Sequence, residues 1–243
     1  GPAVITNERA VQPLLPNEFS YQAIRTMRTR PWLTALAILI WLGGTVWLAG
    51  RNVLAEVEYR LAGSVPQEMI QHKAELVAAF HANPYRPEIA ISLSRALTAH
   101  DAEKLLLSSL SHSPAEPRLY QELGKRAAQA GQGAQTGKYF EQAIALNRYD
   151  THIQSAALYW MIQASRQEWA AGYTDRARQT AAAGVRMYEL YEQLSVTVAA
   201  GKARNDRNFT LDDDAAVYIT HLRILASAAV PQEWTRQTYK PPG

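Results

Sequence analysis

At 243 residues, with 47% apolar and 19% charged residues, the chain has enough apolar content for a packed core plus one appendage and is not a disordered polypeptide. Its formal charge of +3 sits mostly at the N-terminal end: the four basic and two acidic residues before Arg51 leave 21 and 20 from Arg51 onward, with no clustered basic stripe, so no nucleic-acid partner is expected. The absence of cysteine excludes disulfides, thiolate nucleophiles and thiolate metal sites.

Residues 1–30 read as a short polar arm whose opening Gly1-Pro2 matches the scar of a cleaved tag. The twenty residues that follow, PWLTALAILIWLGGTVWLAG, carry no charge and place Trp32 and Trp47 near the two ends. Roughly 20 helical residues cover the ~30 Å hydrocarbon layer of a bilayer, and interfacial tryptophans are usual at its borders, so 31–50 is expected to be a transmembrane helix in contact with lipid. A cleaved signal peptide fits poorly, because thirty residues precede the apolar run and no small-x-small site closes it. Arg25, Arg28 and Arg30 before the span outnumber Arg51 and Arg60 after it. That bias predicts a cytoplasmic arm and an extracytoplasmic remainder, in the single-pass topology of a bacterial inner-membrane protein. Gly43-Gly44 permits close approach of a neighbouring helix without forming a GxxxG face.

Residues 51–230 read as one helical domain. Gly63 to Ala82 is expected to be a first helix, with Met69, Leu76, Val77 and Phe80 on one face. Three junctions then recur, at Asn83-Pro84-Tyr85-Arg86-Pro87, Ser113-Pro114-Ala115-Glu116-Pro117 and Asn147-Arg148-Tyr149-Asp150-Thr151. Each is a helix breaker followed by a Pro or Thr suited to open a new helix, and a period in the low thirties signals stacked helical hairpins. The stretch GQGAQTGKYF, residues 131–140, invites a phosphate-binding reading, but the position five before Gly137 is Gln132 and Tyr139 follows Lys138, so the P-loop pattern fails at both ends.

The unit containing that stretch resembles the tetratricopeptide repeat. Tyr120, Leu123-Gly124, a turn glycine at Gly131, Phe140 and Ala143 stand at that family's intervals, while Thr136 and Arg148 replace its usual alanine and proline. The resemblance implies an all-α solenoid of antiparallel helical hairpins, with repeats at about 87–116, 117–150 and 151–195. It implies that Gly131 is a left-handed C-cap, and that Gly124 and Ala143 are small because helices cross there. The first unit has Ser94 in place of the glycine and a shortened turn near His100-Asp101. The third has Leu158 at that position and runs through Trp169 to Gly172 before its second helix. Gly201 to Thr210 reads as a loop, 212–230 as a C-terminal helix opened by Asp212-Asp213-Asp214, and 231–243 as a flexible tail.

Chemistry is sparse. The six histidines show no metal-ligand spacing and read as solvated surface residues. The Asp212–Asp214 triplet would splay around a helix axis, and no serine stands in a nucleophile elbow. Neither metal, cofactor nor catalytic residue is expected, and the chain is not expected to be an enzyme by itself. The sequon Asn208-Phe209-Thr210 matters only in a eukaryotic secretory context, and Tyr159, Trp160, Trp169, Tyr173, Tyr188 and Tyr191 read as packing aromatics.

The resemblance places the first helix of each hairpin on a concave, partner-binding face. By alignment its polar residues are Arg95, then Arg118, Gln121, Lys125 and Gln129, then Ser155, Tyr159 and Gln163. The three basic ones suit an acidic or carboxylate-terminated segment of a partner protein. The organisation looks like that of single-span tetratricopeptide scaffolds of the bacterial cell envelope, serving secretion, maturation or surface-polysaccharide assembly. More weakly, it resembles the C-terminal region of O-antigen-ligase-like polysaccharide proteins, whose catalytic part lies upstream. A structural subunit of a stable membrane complex is the third expectation.

Overall fold

The computed structural model describes residues 31–64, 70–201 and 209–227. The arm, the tail and the sequon's Asn208 lie outside these, as does most of the expected loop at 201–210. Two units divide within the first helix, at Leu54/Ala55.

Helix α1 (Pro31–Ser64) starts on a proline, whose missing N–H costs nothing at a helix N-terminus, and runs for 34 residues. At 1.5 Å per residue it is about 51 Å long, well beyond the thickness of a hydrocarbon core. Its most apolar stretch has no buried residue, and it is the one helix among the described residues long and apolar enough to cross a membrane. It does not stop at Arg51. It continues through Gly63, so the helix expected from Gly63 begins instead as α2 (Ile70–Ala82), with Met69 outside the described residues. The cause lies in the sequence: Ala55, Tyr59 and Ala62 extend a helical face that packs onto Leu76, Ala79, Ile89 and Leu93.

Three hairpins follow: α3 (Pro87–Arg95) with α4 (Ala99–His112), α5 (Pro117–Gln129) with α6 (Gly133–Leu146), and α7 (Thr151–Ala170) with α8 (Thr174–Ala199). All described secondary structure is helical, and the hairpins stack as an α-solenoid, each first helix also packing on the next hairpin's first helix. The three junctions share one backbone device. Arg86, Glu116 and Asp150 each donate their N–H to the carbonyl three residues back, at 3.5, 3.2 and 3.2 Å, adopt an extended N-cap conformation, and hand over to Pro87, Pro117 or Thr151. In the first unit the turn is 96–98, not His100-Asp101. Thr98 caps α4 by accepting from the Asp101 N–H and donating to its carboxylate, which draws both residues into the helix.

Gly131 has φ +66°, and the bonds Gly131 N–H to Ala128 O and Gln132 N–H to Ala127 O close a Schellman motif. A Cβ on Gly124 would fall 2.7 Å from the Phe140 ring, which is why that crossing needs a glycine.

Helix α9 (Asp213–Ala226) covers α7 and α8. Asp212 is its N-cap, accepting from Asp214 N–H at 3.2 Å, so the acidic triplet opens the helix. Tyr191 ties it down, its hydroxyl donating to Thr210 O at 2.8 Å and accepting from Asp212 N–H at 3.0 Å. Phe209 is buried between Tyr149 and Tyr191.

Candidate partner-binding groove

A groove of about 800 Å³ runs across α3, α5 and α7. Its residues follow helical spacing on each element: Glu88, Ile91, Ser92 and Arg95 from α3, Arg118, Gln121, Glu122 and Lys125 from α5, and His152, Ala156 and Trp160 from α7. Four of the eight expected residues therefore meet here, namely Arg95, Arg118, Gln121 and Lys125. Gln129, in the last turn of α5, is exposed and does not line the groove.

On α7 the expected stripe is displaced by one residue. Ser155 and Tyr159 are buried and Gln163 is half-buried. Their neighbours His152, Ala156 and Trp160 face the groove instead, a turn of about 100° around the helix. The reason is α9. Ser155 Oγ donates to Asp212 Oδ2 at 2.6 Å, and Tyr159 meets Tyr218 edge-on with centroids 6.2 Å apart. Packing holds Tyr159, Tyr188 and Tyr191 in the core, while Trp160 and Trp169 are half-buried and Tyr173 is exposed. His221 on α9 is also buried, against the expectation of a solvated histidine, and burial, followed by nearby Arg166, depresses its pKa.

The groove's charges differ in how far they are engaged. Arg118 is held by Glu116, Nε to Oε1 at 2.7 Å, and by Glu88, Nη2 to Oε1 at 2.8 Å. Its guanidinium in turn lowers the Glu116 pKa through that hydrogen bond. The pairing extends into an alternating ladder, Arg60–Glu56–Arg86–Glu88–Arg118–Glu116, which links the end of α1 to the starts of α3 and α5. Lys125 Nζ stands 3.9 Å from Glu122 Oε1 and 5.9 Å from the centre of the Trp160 ring. Arg95 is exposed and has no ion pair or hydrogen bond among the described residues. It also borders a second recess of about 600 Å³, lined by Tyr59, His72 and Leu76.

Glycine-rich residues 131–138 lie elsewhere and serve packing. The N-terminus of α6, where a phosphate would sit, is filled by buried Glu168. This carboxylate accepts from Gly133 N–H at 3.1 Å and from Thr180 Oγ1 at 2.7 Å. A Cβ on Gly133 would collide with the Thr180 side chain, so that glycine lets α6 approach α8.

No protein-family model matches the chain, and no curated protein matches it in sequence. Among solved structures it is similar to the crystal structure of MamA protein, at 13% identity and TM-score 0.38, over 74% of this chain and 91% of that one.

Proposed function

We propose that this chain is a membrane-tethered, tetratricopeptide-like interaction scaffold of the bacterial cell envelope. It binds an acidic or carboxylate-terminated segment of a partner protein in the groove of α3, α5 and α7, and carries no catalytic step of its own. The observation that carries this reading is the convergence of three hairpins on one groove that presents a charge-uncompensated Arg95 and a Lys125 only loosely matched to Glu122. A carboxylate is the group such cations select, and Ile91, Ala156 and Trp160 supply apolar surface beside them. Helix α1 supplies the tether, with residues 31–50 in the bilayer, the arm in the cytoplasm and the hairpins in the periplasm. Confinement to a membrane plane raises the effective concentration of a membrane-bound partner, so a modest groove suffices.

The test is binding of acidic peptides with free C-termini, by fluorescence anisotropy, to the full chain and to Arg95→Glu, Lys125→Glu and Gln129→Glu. Each groove reversal should weaken binding about ten-fold, the size expected for removing one favourable charge contact, and Gln129→Glu should leave it unchanged. Equal affinity in all four proteins would refute the assignment. Arg118→Glu is a poor probe, because it would also leave Glu116 without its cation and Glu88 with Arg86 alone.

A further inference from the structure

We propose, resting on the carboxylate-binding groove of the proposed function, that the partner segment ends in a tyrosine or tryptophan. The free carboxylate of this last residue sits on Arg95, and its ring enters the recess between the end of α1, α2 and α3. Tyr59, Ser92 and Arg95 line both the groove of about 800 Å³ and the recess of about 600 Å³, so the two cavities share that border. Every residue involved belongs to the unit that begins at Ala55.

The recess offers something the groove does not. Its floor is apolar, for Ala62 and Leu76 are buried in one cluster with Leu93, and Tyr59 and Ala96 add to its walls. Several of its polar groups are spent on one another. Glu56 accepts from Arg60 Nε at 2.6 Å and also holds Arg86, and the Tyr59 hydroxyl is 3.2 Å from Ser92 Oγ. Two groups stand apart. Arg95, at the shared border, has no ion pair or hydrogen bond among the described residues. The second is His72, whose Nδ1 lies 2.8 Å from Ala62 O. A carbonyl can only accept, so Nδ1 carries the proton, and in the neutral ring Nε2 is an acceptor that no described residue fills.

These groups define the visitor. Arg95 selects a carboxylate. The apolar floor selects a ring, since a recess of this size holds a whole side chain, and a fixed acceptor selects a ring that carries an O–H or N–H. The last residue of a chain carries its carboxylate and its side chain on one Cα, so a single residue serves both, while the rest of the segment runs back along the groove past Lys125 and Trp160.

The test uses labelled acidic peptides identical but for a last residue of tyrosine, phenylalanine or alanine, with a tyrosine amide as the fourth. They are titrated into the full chain in detergent micelles and followed by fluorescence anisotropy. The tyrosine acid should bind about ten-fold or more tighter than the alanine acid, for burial of the ring, and about five-fold tighter than the phenylalanine acid, for one hydrogen bond. His72→Asn keeps an N–H for the Ala62 carbonyl but lacks the Nε2 acceptor, so it should erase the preference for tyrosine over phenylalanine and leave the alanine acid unaffected. Ala96→Leu, which adds bulk to the recess wall, should bring the tyrosine acid down to the alanine acid. Amidation should weaken binding to the parent about ten-fold and should no longer weaken it in Arg95→Glu. Equal affinity for the three acids, with all three weakened by Arg95→Glu, overturns the recess assignment and leaves the groove standing. A preference over phenylalanine that survives His72→Asn, one over alanine that survives Ala96→Leu, or an amide that binds like the acid overturns it as well. If none of the peptides binds, the groove falls and the recess with it.

Discussion

Replacing Glu168 by alanine should destabilise the α6/α8 contact by about 2–4 kcal/mol, more than the loss of an ordinary surface carboxylate. The side chain is 2% exposed and closes two hydrogen bonds, to Gly133 N–H and Thr180 Oγ1. Hydrogen bonds to charged groups contribute about 1.5–3 kcal/mol each, and a buried donor left without a partner costs about 1–3 kcal/mol. The Gly133 N–H would be such a donor, because Gln132 makes no side-chain cap. Thr180 can turn its hydroxyl to another acceptor, which keeps the total below the simple sum. Arg176 is 3.8 Å from the carboxylate but its side chain is 58% exposed, so that pair adds little. Glu168→Gln keeps one carbonyl acceptor and loses the favourable charge at the helix N-terminus, so it should cost about 1–2 kcal/mol. Urea unfolding of the full chain in detergent micelles, followed by tryptophan fluorescence, gives both differences. An alanine variant within about 0.5 kcal/mol of the parent, the range of ordinary surface changes, would refute the idea that α6 is capped in trans.

Tyr191→Phe removes a hydroxyl that both donates to Thr210 and accepts from Asp212, and should cost about 1–3 kcal/mol, seen first as faster amide exchange in α9. Burial is the leading cause of raised phenol pKa values at Tyr159, Tyr188, Tyr191 and Tyr218, the last pushed up to about 12. A pKa raised in the folded state stabilises fully below the unfolded value of 10.0 and is lost as pH climbs through the folded one. Stability should therefore fall between about pH 10 and 12, with α9 loosening as tyrosinate absorbance grows, and Tyr218→Phe should shrink the drop. His221 carries the opposite sign: its depressed pKa stabilises above 6.5, so stability should decline on acidification below that value, and His221→Asn should flatten the decline.

The repeat architecture was legible because its signals are local. The three junctions, the prolines at helix starts and the turn at Gly131 each depend on residues within one or two turns, and Gly124 against Phe140 needs only the neighbouring helix. The α3 and α5 sides of the groove could be read for the same reason. The α7 side could not. Which stripe of α7 stays open depends on α9, whose bond from Ser155 to Asp212 joins residues 57 apart, and no spacing within α7 announces it. Placing His221 on the surface failed for the same reason, since a histidine in a half-apolar helix looks identical until its neighbours are known. Nothing in the sequence marks Glu88 and Glu122 as groove residues, since a carboxylate in the first turn of a helix, or three and four residues before Lys125 and Arg126, reads as ordinary helix stabilisation.

Helix α9 also closes one flank of the stack. Paired coils laid side by side always present a last sticky flank, onto which the first pair of another molecule could add, and so on into a filament. Here that flank is sealed by a single coil whose apolar side, Ala215, Tyr218, Ile219, Leu222 and Leu225, is spent inward, while Asp213, Asp214, Thr220 and Arg223 meet water. Deleting it would uncover the buried aromatics of α7 and α8.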